Sequence, residues 1–308
     1  MTVIVRDLRP GVRADLEGFA QVRHAALPYI LFTPDSIVHA LTRTHPRARF
    51  RSLVAEEDGE IIGTAQVGLV HDSPEPGQGF LNVYVHPDRV RRGAGGLLAR
   101  TAEEYLAAEG ATKLFAWVLD EPANTAFAER HGYERRRSAH FLRLDLVNAP
   151  LPAAPTLPAG VELRTAADFA DDPRPLFELD AETASDEPSD VDYEFTDYEA
   201  WLEETWRHPL LNRELTTVAL VDGRPAAFSL AYTAGTGYST AMTGTVRAHR
   251  GKGLAKAAKT DSLRRARAAG CTEAFTGNDT GNGPMLAINK GLGYEACATE
   301  VRYVRELG

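Results

Sequence analysis

An internal repeat constrains this chain more than any other feature. Three landmarks recur in the same order: Asp58-Gly59 with Asp222-Gly223, Gly93 with Gly253, and Gly132-Tyr133 with Gly293-Tyr294. Their separations are 164, 160 and 161 residues. Chance supplies one such match, but three in register indicate duplication, so the 308 residues read as two copies of one module with two cores. The run NAPLPAAPTLPAG, from Asn148 to Gly160, separates them. Its four prolines and lack of apolar periodicity suggest a semi-extended linker. The expected organisation is one domain over 1–147, a linker over 148–160 and a second domain over 161–308.

Each half shows the same element order. A short strand precedes two helical stretches. Two strands then flank an Asp-Gly pair, the strongest short hairpin signal. A fourth strand runs into a glycine-rich turn and a long helix that ends at a glycine, Gly110 or Gly270. A strand, a short helix and a last strand complete the module. In the second half these are Glu273–Thr276, Pro284–Lys290 and Glu295–Val304. The expected fold class is α/β, of the α+β kind, with a mixed and largely antiparallel sheet in each half.

Charge and composition exclude several functions. The net charge of −9 argues against a nucleic-acid partner. No apolar run is long enough to span a membrane, and the opening MTVIVRDLRPGVRADLEG has neither the apolar core nor the cleavage site of a secretory leader. Cys271 and Cys297 make no disulfide framework, so reduced thiols and a cytoplasmic location are expected. The histidines, His24, His39, His131 and His249 among them, lack ligand spacing, and no metal is expected.

The turn after the fourth strand of the second half carries the chemistry. It reads Arg250-Gly251-Lys252-Gly253-Leu254-Ala255 and opens a helix. Unpaired backbone N–H groups and a helix N-terminus converge at such a turn and suit a diphosphate. Gly251 and Gly253 let a ligand approach the backbone, and Arg250 and Lys252 add charge. A Walker loop does not fit, since G-x-x-x-x-G-K-[ST] is absent here. A dinucleotide fingerprint fails in the first half, where Leu98 stands at the third glycine position. A tight turn with a basic surface remains a contender on these residues alone.

This segment resembles the [QR]-x-x-G-x-[GA] signature of the GNAT superfamily of N-acetyltransferases. Asn282, Met285, Asn289, Gly293 and Tyr294 fall on the superfamily frame N-x-x-A-x-x-x-Y-x-x-x-G-[FY]. The run TGNDTGNGPMLAINKGLGY is similar to a tandem group of this superfamily seen in actinobacteria, with the two-domain layout of mycothiol synthase. The resemblance covers nearly the whole chain and is most specific over residues 243–294. It implies acetyl-CoA as co-substrate, held by Thr245, Val246 and Arg250, Gly251, Lys252, Gly253, Leu254 and Ala255, with Asn278 and Asn282 along the pantetheine arm. It also implies a small-molecule amine acceptor and direct attack in a ternary complex. A monomer or homodimer is expected.

Departures from the frame matter as much. Asn289 stands where the superfamily places a tyrosine acid, and an amide supplies no proton at neutral pH. It either donates a hydrogen bond to the sulfur or carbonyl or is a helix-surface or capping amide. In the first half Val90, Glu121 and Ala128 replace the signature residues, so that copy is expected to be impaired. Neither Phe80–Val85 nor Tyr238–Val246 carries the glutamate base common in the superfamily. Between Glu178 and Glu204 lie 12 acidic residues and no lysine or arginine. Asp186, Glu187 or Asp190 from this stretch is the expected acceptor-binding group and base, against the plainer reading of a solvated acidic face. The expected function is N-acetyl transfer to a small cationic amine. The alternative is a non-catalytic acyl-CoA-binding or regulatory protein.

Overall fold

The computed structural model describes residues 2–186, 188–191 and 196–307. In chain order the elements are β1 (Val3–Asp7), α1 (Arg13–Ala26), α2 (Pro34–Arg43), β2 (Arg51–Glu57), β3 (Glu60–Leu69), β4 (Gln78–Val85), α3 (Ala94–Ala108), β5 (Lys113–Leu119), α4 (Pro122–Arg130) and β6 (Glu134–Asp145). The second series is β7 (Val161–Thr165), α5 (Arg174–Ala184), α6 (Tyr198–Trp201), β8 (Thr217–Val221), β9 (Arg224–Ala234), β10 (Gly237–Thr245), α7 (Leu254–Ala268), β11 (Glu273–Asp279), α8 (Gly283–Gly291) and β12 (Glu295–Glu306). The expected second helix over Tyr198–Trp206 is instead one α turn followed by a π-helical turn at Leu202–Trp206.

The Asp-Gly pairs close both hairpins as anticipated. Asp58 and Gly59 have φ of 52° and 84°, and Asp222 and Gly223 have φ of 50° and 78°. Two consecutive left-handed residues match the twist of a two-residue hairpin. A shift in the ladder follows at Ala55/Glu56 in one copy and Ala219/Leu220 in the other, 164 residues apart. The repeat therefore extends to irregularities that no composition rule demands.

The chain forms two units, Met1–Ala139 with Thr299–Gly308, and His140–Ala298. In unit 1 the strands run β1-β2-β3-β4-β5, followed by the distal part of β12. Alternate residues of β2 serve opposite faces. Leu53 and Ala55 pack under Leu98, Ala102 and Leu106 of α3, while Val54 packs against Leu16 and Phe19 of α1. In unit 2 the strands run β7-β8-β9-β10-β11, followed by the distal part of β6. Leu263 and Ala266 of α7 pack on Tyr238 and Ala274, and Trp201 and Trp206 pack on Val218 and Leu230.

The sixth strand of each unit departs from the expected division. β5 pairs antiparallel with β12 from Leu119↔Glu300 to Lys113↔Glu306, so the chain's last strand completes unit 1. β6 enters unit 2 at His140, where Leu146 N–H donates to the Thr272 carbonyl at 2.9 Å. The units thus divide at residues 139 and 298, not across 148–160. That proline-rich segment belongs to unit 2 and is strapped to α7: Arg264 donates to the Pro152 carbonyl at 3.1 Å and Arg267 donates to that of Ala149. Alternation identifies a strand, but it does not say which sheet edge the strand will join.

Lys259 of α7 is an anomaly in this packing. It is 1% exposed, its Nζ lies 5.1 Å from the Tyr294 ring centroid, and Ala99 holds the position 160 residues earlier. Burial pushes its pKa down to about 7 from the ordinary 10.5. Between pH 7 and 10.5 the unfolded chain therefore binds more protons than the folded one, and stability rises with pH. Lys259→Met is expected to stabilise the protein by about 1–4 kcal/mol at pH 7, with a smaller gain at pH 9. Urea unfolding at the two pH values measures both.

Candidate functional site

Each unit contains two parallel strands that pair briefly and then part. β4 and β5 pair only from Gln78↔Lys113 to Phe80↔Phe115. β10 and β11 pair only from Gly237↔Glu273 to Thr240↔Thr276. Beyond these points backbone groups on the facing edges need other partners. Unit 1 closes its gap internally, since the Asn82 side-chain oxygen accepts the Trp117 N–H at 3.0 Å. In unit 2 the gap lies between Met242–Thr245 and Gly277–Asp279, and no atom lies within 4 Å of where a Gly277 Cβ would sit.

The fourth strands differ as well. β4 pairs with β3 without interruption from Gly79 to Val85. The β10–β9 register shifts between Thr240 and Met242, leaving Ala241 as an extra residue. A bulge of this kind bends the strand and re-aims its backbone groups. It falls where β10 leaves β11. Buried polar atoms without partners stand on the surrounding elements, namely Thr243 Oγ1 on β10 and Asn289 Oδ1 on α8.

At the C-terminal end of β10 the chain makes a 3₁₀ turn, Arg247–His249, then an extended Arg250, and then Gly251 and Gly253 with φ of 74° and 78°. No side chain caps α7, so the N–H groups of its first turn face outward unclaimed. Arg250, Gly251, Lys252 and Gly253 are exposed, and no atom lies within 4 Å of a Cβ built on either glycine. This arrangement fits the diphosphate of a coenzyme A thioester. Three residues expected to hold that group are partly committed elsewhere. Leu254 is buried against Ala219, Ala226 and Ala227, the Val246 N–H bonds to the Ala226 carbonyl at 2.9 Å, and the Thr245 carbonyl accepts from Arg250 Nε at 3.1 Å. Unit 1 repeats the loop: Val90 is extended, Arg91 and Gly93 have φ of 63° and 88°, and α3 is uncapped. Arg91 holds a left-handed conformation where unit 2 has Gly251, a strained choice for a residue with a Cβ.

The end of α5 is clamped onto this loop. Asp186 takes hydrogen bonds from Arg247 at 2.8 and 3.0 Å and another from Arg250, and Glu182 accepts the Arg247 N–H at 2.7 Å. The bonds from Arg247 and Arg250 hold the Asp186 carboxyl down at about 2. A carboxylate so stabilised is a poor proton acceptor near neutral pH, so the geometry does not favour Asp186 as base. Glu187 lies outside the described residues.

The amides of α8 divide their work differently from the expectation. Asn289 is fully buried and donates to Asn278 Oδ1, so it is not a surface amide. The cap belongs to Asn282, whose oxygen accepts the Met285 N–H at 3.3 Å. Asp180 on α5 was not singled out from the sequence. It is buried, accepts the Trp201 indole N–H at 2.8 Å, and is pushed up to about 6 by desolvation. Its signal was available: Leu176, Leu179, Asp180 and Thr183 follow i, i+3, i+4, i+7 spacing and form one buried face.

The Acetyltransferase (GNAT) family profile matches residues 17–133 and again 174–294. A mycothiol acetyltransferase of Kineococcus radiotolerans is 32% identical over 255 residues, covering 82% of this chain and 80% of the relative. One of Acidothermus cellulolyticus is 30% identical over 265 residues, covering 82% and 78%. Among solved structures, a tandem GNAT protein from the clavulanic acid biosynthesis pathway superposes with TM-score 0.75 at 21% identity, covering 100% of this chain and 99% of its own. A GCN5-related N-acetyltransferase from Sphaerobacter thermophilus gives 0.71 at 21%, covering 99% and 95%. The chain belongs to the GNAT family of acetyltransferases and is an acyltransferase built from two modules of that family.

Proposed function

We propose that unit 2 moves an acetyl group from acetyl-CoA to the amine of a small, cationic molecule by direct attack in a ternary complex. The observation that carries this reading is the bulge at Ala241 beside an open strand gap, a pairing that unit 1 lacks. Backbone N–H groups freed at the bulge are placed to polarise a thioester carbonyl. The first-turn amides of α7, with Arg247, Arg250 and Lys252, hold the diphosphate. Asn278 serves the pantetheine amides, oriented by the buried Asn289 that donates to it. Thiolates leave without strong acid assistance, which accommodates an amide at Asn289. The relatives named mycothiol acetyltransferase support a small-molecule acceptor.

Asp180 is the base in this reading. Desolvation raises its proton affinity while leaving it ionised at neutral pH, and it must be deprotonated to act, so the rate rises with pH through about 6. Asp180→Asn is expected to lower kcat/KM about 100-fold and to abolish that limb of the pH profile. A limb that persists unchanged removes Asp180 from the role.

Asp186 and the diphosphate compete for the same two guanidinium groups. Asp186→Asn is therefore expected to tighten CoA binding about 3- to 10-fold, read by calorimetry.

Release of free thiol from acetyl-CoA over a panel of small amines tests which unit works. Gly253→Val forces a side chain onto a residue with φ of 78° at the mouth of the cradle. It is expected to reduce turnover at least about 10-fold, while Gly93→Val leaves turnover within about twofold. Equal losses in the two variants would overturn the assignment to unit 2.

A further inference from the structure

Unit 1 replaces the corresponding packing of unit 2 with a buried charge. In unit 2, Thr183 of α5 rests on Gly244 of β10 so closely that a Cβ at Gly244 would fall inside van der Waals contact. The positions 160 residues earlier are Arg23 of α1 and Tyr84 of β4, and there too helix meets strand. Arg23 is 3% exposed. Its guanidinium carbon lies 5.6, 4.8 and 4.5 Å from the ring centroids of Phe19, Phe32 and Tyr84. Nη2 donates to Gln66, while Nε and Nη1 are buried with no hydrogen-bond partner. No carboxylate among the described residues pairs with it; the influences on its guanidinium are burial and Tyr84, while Glu300 of β12 acts on Tyr84.

We propose that unit 1 carries a binding site for a small carboxylate with an apolar body, centred on the Arg23 guanidinium and walled by Phe19, Phe32 and Tyr84. Aromatic rings meet the faces of a guanidinium, but its in-plane N–H groups need acceptors, and a buried cation without an anion is costly. A carboxylate supplies both the charge and the planar acceptors that a guanidinium fork matches. A phosphate dianion suits the site less, because it carries a second charge and the walls Phe19, Phe32 and Tyr84 are neutral. The aromatic lining instead favours an apolar substituent on the acid. In this proposal the ligand enters past Phe32, which is half-buried on the segment between α1 and α2. The Asn82–Trp117 bond closes the adjacent strand gap, so the site binds and does not transfer. It goes beyond the acetyl transfer assigned to unit 2 and stands whether or not that assignment holds.

The test is calorimetric titration of the full chain with benzoate and phenylacetate, in the presence of saturating CoA so that the glycine-rich loops do not compete for the anion. Saturable binding is expected, at least about 10-fold weaker for the neutral isostere benzamide and at least about 10-fold weaker in Arg23→Met. Arg23→Met is also expected to unfold at a higher temperature than the parent in the absence of ligand, since it removes an uncompensated charge. A second readout needs no variant: the Arg23 Nε–H resonance of the parent protein is expected to move on titration with benzoate. Equal binding of benzamide, undiminished binding by Arg23→Met, or an unmoved Arg23 resonance at about 10 mM benzoate would each overturn the proposal.

Discussion

A sheet that stops pairing before its strands end must find another use for the backbone groups it exposes. Both units face this constraint where the fourth and fifth strands part, after Phe80↔Phe115 and after Thr240↔Thr276. Water, a side chain or a ligand can answer it. Unit 1 answers with the Asn82 amide, a fixed internal bond. Unit 2 adds a bulge at Ala241 and keeps Gly277 bare. The same geometry is thus closed in one unit and open in the other. The closed unit buries a charged side chain at Arg23, where the open one has the compact pair Thr183 and Gly244.

The glycine-rich loop differs less between the units. Its backbone is alike in both units, down to a left-handed residue three positions before the helix, even where that residue is Arg91. Loop backbone of this kind depends on the strand before it and the helix after it, and both are held by the core. Side chains around it are under no such restraint. Arg250 keeps a guanidinium at the edge of one cradle, and Val90 presents an exposed methyl pair at the other.

Much of this was legible in the sequence because it is local. Asp58-Gly59 and Asp222-Gly223 need only their own dihedral freedom to define a turn, and Gly251 and Gly253 need only the strand and helix beside them. What was not legible depends on the third dimension. Nothing in Thr240-Ala241-Met242 announces a bulge, since each residue suits an ordinary strand and only the register with β9 reveals the extra one. Asp186 looked available because its partners, Arg247 and Arg250, lie about 60 residues away in sequence. Asp180 lies on the apolar face of α5, and its sequence signal is masked by the many acidic residues that follow it between Glu182 and Glu204. The linker misled for a related reason: prolines mark a break in regular structure, and a break need not be a boundary between cores.

The exchange of sixth strands has a consequence in time. A chain leaves the ribosome from its N-terminus, so β5 is complete roughly 180 residues before the part of β12 that covers it. At about 5–20 residues per second its edge stays open for about 10–40 s. Through that interval Phe115 and Trp117 sit on a strand whose outer edge is open, the kind of surface that recruits other strands. Loss of residues 299–308 therefore strikes unit 1, although β1 to β5 all lie before residue 120.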